Sequence, residues 1–66
     1  MPTGTVKWFN EQKGYGFIIP DEGGKDIFVH RSNVATVNRT LKENEKVVYE
    51  VGDGRKGPEA KDVRTA

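Results

Sequence analysis

Lys7 and Trp8, then Lys13, Tyr15 and Phe17, then Phe28 and His30 place cations and rings along three short stretches of a 66-residue chain. A β-strand sends successive side chains to opposite faces. On strands, Tyr15 and Phe17 share one face, as do Phe28 and His30, while Gly16, Ile18, Ile27 and Val29 take the other. The second face already supplies an aliphatic core, which leaves the rings for the surface. Exposed rings beside lysines suit a single-stranded nucleic acid, since bases stack on rings and Lys or Arg follow the phosphates. Trp8 and Phe9 are adjacent, so strict alternation cannot bury both, and a bulge or a surface ring is required. Other chemistries find little support. A lone His and no Cys make no zinc site. No Ser is set against a base in the manner of a triad, and the carboxylates are scattered as on an ordinary surface. No catalytic residue, metal or cofactor is expected.

The elements that must position these rings fit in one small domain, residues 1–66. With 33% hydrophobic residues there is material for one thin core and none for a deep substrate cavity. A chain this small buries only about 60% of its unfolded surface. The N-terminal Met1-Pro2-Thr3-Gly4 has no apolar leader, and no apolar run approaches the ~20 residues of a membrane span. Together with the absence of Cys, this makes a reducing cytoplasm the expected location. Net charge is only +1, yet Lys7, Lys13, Lys25 and Arg31 flank the rings. Glu43, Glu45, Glu50, Glu59 and Asp62 fall in the second half, so the charge is expected to be sorted by face.

Thr3 to Asn10 reads as a first strand, with Val6 inward and Lys7 outward. Glu11 to Gly14 is a turn into a second strand over Tyr15 to Ile19, which Pro20 to Gly24 ends. Asp26 to His30 is a third strand, and Ser32 to Val34 a short helical turn. Thr40-Leu41-Lys42-Glu43 has capping-box spacing but supports one turn at most. Val37 and Leu41 are possible anchors in this polar stretch. Val47, Tyr49 and Val51 alternate inward on a fourth strand, Gly52-Asp53-Gly54 is a turn, and a last strand runs around Ala60 to Arg64 with Val63 inward. Five short strands in an open sheet would leave two bare edges, and closure into a barrel removes them. The patterning leaves two choices, an OB-type Greek-key barrel and an SH3-like barrel gripping Pro-rich peptides through its rings.

The runs Gly4-Thr5-Val6-Lys7-Trp8-Phe9-Asn10, Lys13-Gly14-Tyr15-Gly16-Phe17-Ile18 and Asp26-Ile27-Phe28-Val29-His30, with Gly57 to Val63 as a last strand, resemble the bacterial cold shock proteins over essentially the whole chain. An RRM, which carries similar motifs, needs two amphipathic helices that this chain has no pattern for, and it places the Lys-Gly-aromatic motif second rather than first. The resemblance implies an all-β, five-stranded antiparallel OB-fold barrel. It implies a non-enzymatic binder of single-stranded RNA and DNA acting as an RNA chaperone, expected as a monomer without metal or membrane partners. The family's binding residues fall on Lys7, Trp8, Lys13, Tyr15, Phe17, Phe28 and His30, with Phe9 in the same patch but partly core. Tyr15 stands where Phe is commoner. Two further positions depart from the family. Arg31 and Asn38 each occupy a place often held by Phe, so the expected interface ends in a guanidinium plane on one side and a hydrogen-bonding amide on the other.

Overall fold

The computed structural model describes residues 2–35, 40–54 and 57–66. Five strands follow one another as β1 (Thr3–Asn10), β2 (Tyr15–Pro20), β3 (Ile27–His30), β4 (Lys46–Gly54) and β5 (Gly57–Thr65), with one 3-10 turn, Arg31–Asn33, after β3. They close into a barrel in the order β1-β2-β3-β5-β4, the five-stranded Greek-key arrangement of an OB fold. All pairings are antiparallel except the seam between β3 and β5, where Phe28 lies opposite Glu59 and Val29 opposite Ala60 in parallel. A parallel bridge from Val34 to Val63 extends this seam past the 3-10 turn.

Alternation along each strand decides what lies inside. Val6, Ile18, Val29, Val47 and Val63 are wholly buried, and Tyr49, Ala60, Val34 and Leu41 complete the core. Burial raises the pKa of the Tyr49 hydroxyl above its ordinary value, and the Glu22 and Asp21 carboxylates add to the rise. Among the described residues no buried polar side-chain atom lacks a partner.

Two expectations for β4 are overturned. Val51 is 54% exposed rather than inward. β1 pairs with β4 only from Lys46 to Val48, so beyond that point β4 is paired on one side alone. Gly52-Asp53-Gly54 is not a turn but the end of β4, opposite Glu59, Pro58 and Gly57. Its glycines are the positions where the hairpin partner comes close. A side chain at Gly52 would meet the Lys61 stem at 3.0 Å. Thr40 to Glu43 forms no helix. The Lys42 N–H donates instead to Glu45 Oε1 at 3.1 Å. Val37 and Asn38 lie outside the described residues.

At one end of the barrel Lys46 Nζ donates to Asp21 Oδ1 at 2.5 Å and Thr3 Oγ1 donates to Asp21 Oδ2 at 2.6 Å. The Lys46 hydrogen bond, then that of Thr3, holds the Asp21 carboxyl below its ordinary value of 3.8. A carboxyl lowered on folding contributes stability that is present above its unfolded pKa and lost as pH falls through the folded one. The stability gap between wild type and Asp21→Asn is therefore expected to be constant above about pH 5 and to shrink as the pH falls below 3.8. Thermal unfolding of both proteins across this range checks it. Added salt should narrow the gap, because the pair is exposed.

Candidate nucleic-acid interface

The ring surface depends on a single irregularity. Val6 pairs with Ile18, but the next pair is Trp8 with Phe17. Lys7 is the extra residue, so the β1–β2 ladder slips by one at that point. The slip lets Val6 face the core while Trp8 emerges on the outer face beside Phe17. Phe9, the next residue, turns back and packs against the core, opposite Gly16.

Four rings then meet, three of their contacts edge to face and one stacked. Trp8 lies 5.4 Å from Phe17 and 5.7 Å from Tyr15, both at steep interplanar angles. Phe28 lies 5.8 Å from Phe17 and 5.7 Å from Tyr15, nearly parallel to the latter at 29°. Strand register explains the square: Trp8 faces Phe17 across β1–β2, and Phe17 faces Phe28 across β2–β3. T-shaped contacts hold each ring while leaving faces open. Trp8 is 37% exposed, and the other three are partly so.

His30 pairs with Tyr15 and extends the row. Its Nδ1 lies 2.9 Å from Ser32 Oγ and accepts the Ser32 backbone N–H at 3.1 Å, capping the 3-10 turn. Arg31 leads back toward the β1–β2 turn. Its N–H donates to the Gly14 carbonyl at 2.8 Å, and its side chain runs over Gly14. A β-carbon there would meet Arg31 Cδ at 3.1 Å. Gly14 also has φ +74, a conformation glycine adopts without strain.

The rings line one wall of a broad groove that continues past Lys25, Ile27 and Asp26 to Val51 and Pro58. Of the lysines and arginines around the rings only Lys25 lines the groove itself, with Lys7, Lys13 and Arg31 outside its lining, and they are not equivalent. Lys7 Nζ is 2.9 Å from Asp26 Oδ2 and shares its charge with that carboxylate. Among the described residues the side chains of Lys13, Lys25 and Arg31 have no acidic partner. The acids are only partly sorted away. Glu43 and Glu50 lie off the groove, whereas Glu59 lines it and accepts a hydrogen bond from Asn33 Nδ2 at 3.0 Å.

A model of the cold-shock DNA-binding domain matches residues 2–66. The chain belongs to the cold-shock domain family. It is 56% identical over 66 residues to the probable cold shock protein A of Mycolicibacterium smegmatis, covering 98% of each chain. It is 52% identical over 64 residues to the cold shock-like protein CspG of Escherichia coli K12, covering 96% of this chain and 91% of the relative. Among solved structures it superposes on drosophila Unr CSD456 with a TM-score of 0.81 at 23% identity. That superposition spans 98% of this chain and about a quarter (26%) of the other, and it shows a shared fold.

Seven residues expected on one cold-shock surface, Trp8, Tyr15, Phe17, Phe28, His30, Lys13 and Arg31, fall along the ring face and its turn end. Lys7 borders them through the bulge, already paired with Asp26. Asn38 lies outside the described residues. Sequence reasoning left out Ser32, Asp26, Val51 and Pro58, all of which line the groove. For Asp26 the signal was present as an acid on the flank of a lysine-rich segment. For Val51 alternation pointed the wrong way. No helix among the described residues is long and apolar enough to cross a membrane.

Proposed function

We propose that the protein binds single-stranded RNA and DNA on the outer face of β1 to β3 and acts as an RNA chaperone without catalysis. The observation that carries this reading is the four-ring cluster of Trp8, Tyr15, Phe17 and Phe28, partly open to solvent, with Lys13, Lys25 and Arg31 on the adjoining turns and without an acidic partner among the described residues. Each stacked base contributes roughly 1–3 kcal/mol, and the partial exposure of all four rings offers places for several. Every base has a π face, so preference among bases is loose at the rings. A strand held in this way is withdrawn from pairing by mass action, with no need for ATP. Arg31 adds a planar cation able to stack on a base or to pair with a phosphate. Asn38 is assigned to the same interface through its place in the family pattern. The protein acts as a monomer in the cytoplasm.

Trp8 is the only tryptophan, so its fluorescence reports one site. Titration with a heptamer of dT at low salt is expected to quench it in a saturable way. A folded protein whose emission does not respond would rule out stacking on Trp8.

The same titration at several salt concentrations reads the charge. Each phosphate contact adds about −0.7 to the slope of log affinity against log salt on a single strand. With Lys13, Lys25 and Arg31 free of acidic partners among the described residues and Lys7 partly neutralised by Asp26, the slope is expected between about −1 and −3. A flat response would point to a Pro-rich peptide as ligand, since such binding rests on rings alone.

A further inference from the structure

We propose that Ser32 is a positioning residue: it holds His30 in the tautomer whose Nε2–H faces the groove, where that N–H donates to an acceptor on the bound strand. The inference rests on the single-strand reading above and adds a directional contact to it. A backbone N–H is always a donor. Because the Ser32 N–H points at His30 Nδ1 at 3.1 Å, that nitrogen must present a lone pair. The Ser32 hydroxyl, 2.9 Å from the same nitrogen, then donates as well. The proton of the neutral imidazole is left on Nε2. The ring is held by the chain that follows it, because His30 caps the 3-10 turn Arg31–Asn33 with its own side chain.

The direction of the remaining N–H follows from the register. His30 lies opposite Tyr15 and two residues beyond Phe28 on the same outer face. It is exposed and lines the groove together with Ser32. Among the described residues no side chain or backbone group bonds to Nε2. The end of the ring row thus carries a donor of fixed direction. Rings alone barely distinguish bases, whereas a donor of fixed direction responds to where an acceptor sits. A base-edge carbonyl and a phosphate oxygen share the required chemistry.

Three variants test this against heptamers of dT, dC and dA by Trp8 quenching. Ser32→Ala keeps the backbone N–H, and with it the tautomer, but removes the hydroxyl that helps hold the ring's direction, and should weaken binding about three- to tenfold with the fold unchanged and the proton still on Nε2. Ser32→Thr should restore it. His30→Phe keeps a ring face and loses the N–H, so it should also weaken binding. If His30 only stacks, that variant binds as well as wild type or better. The chain has one His, so long-range proton–nitrogen spectra of the free protein read its tautomer directly. Nε2–H is expected, and a proton on Nδ1 would overturn the proposal. Equal losses on all three heptamers assign the acceptor to phosphate, and unequal losses assign it to the base edge. A wild type that binds none of them refutes the single-strand reading itself. Normal wild-type binding with Ser32→Ala and His30→Phe unimpaired refutes the role of Ser32 alone.

Discussion

Phe17→Ala and Phe28→Ala are each expected to weaken binding of a dT heptamer by about 1–3 kcal/mol while leaving the barrel folded. Both rings sit on the outer face and touch other rings rather than the aliphatic core. Phe17 lies 5.4 Å from Trp8 and 5.8 Å from Phe28. Removing either forfeits ring contacts worth about 0.5–1.5 kcal/mol each, together with part of the area that a half-buried side chain covers. The stability cost should therefore stay below the 3–5 kcal/mol typical of a buried Phe→Ala change.

Val29→Ala should show the reverse. Val29 is wholly buried on the strand that carries Phe28 and His30. Losing two methyl groups there should cost about 2–3 kcal/mol of stability through transfer and cavity terms. The folded fraction should bind as wild type does. Denaturant melts paired with Trp8 titrations on the three variants separate the two patterns. The interface is misassigned if Phe17→Ala unfolds the protein while its folded remainder binds normally.

What could be read in the sequence follows from where one side chain's environment is set by its own strand. The alternation Tyr15-Gly16-Phe17-Ile18 and Ile27-Phe28-Val29-His30 predicts which residues emerge as rings and which are buried, because β2 is paired on both sides along this stretch and β3 at Phe28 and Val29. Val51 failed the same rule because its strand outruns β1. That limit depends on the register of a distant strand, and periodicity carries no information about it. Gly52-Asp53-Gly54 has turn composition, but close approach by β5 asks for the same small residues as a turn does. The Trp8-Phe9 pair demanded an irregularity, though only the register locates it at Lys7. The Lys7–Asp26 pair and the Ser32–His30 bond join residues whose meeting depends on side-chain direction, to which the spacing of types is blind. Membership of the family supplied what composition could not, since a net charge of +1 does not by itself announce a nucleic-acid binder.

The Lys7 bulge also determines where the chain is least tolerant of change. Gly16→Ala is expected to destabilise the protein by about 3 kcal/mol or more, at or beyond the upper end of ordinary overpacking. By turning Phe9 inward against β2, the bulge brings the backbone of Trp8 and Phe9 over Gly16. A β-carbon at Gly16 would fall on the Trp8 carbonyl oxygen and lie 2.8 Å from Phe9 Cα and 2.9 Å from Phe9 Cδ1. The nearest atoms are backbone, so no rotamer change relieves the clash, and Phe9→Leu should not rescue it. β1 must instead move away from β2 at the point that presents Trp8. Loss of stability should therefore come with loss of Trp8 quenching per folded molecule, a coupling absent from Val29→Ala. Gly23→Ala is the control. It has φ +91 and nothing within 4 Å of the added carbon, so it costs only the backbone strain, about 1–2 kcal/mol. For a domain this small 1 kcal/mol shifts Tm by about 4–8 °C, which puts Gly16→Ala roughly 12–24 °C or more below wild type and Gly23→Ala roughly 4–16 °C below it, one to two thirds of the shift at any given slope. If the two glycine variants melt together, the close approach of β1 to β2 is not what holds Trp8 on the surface.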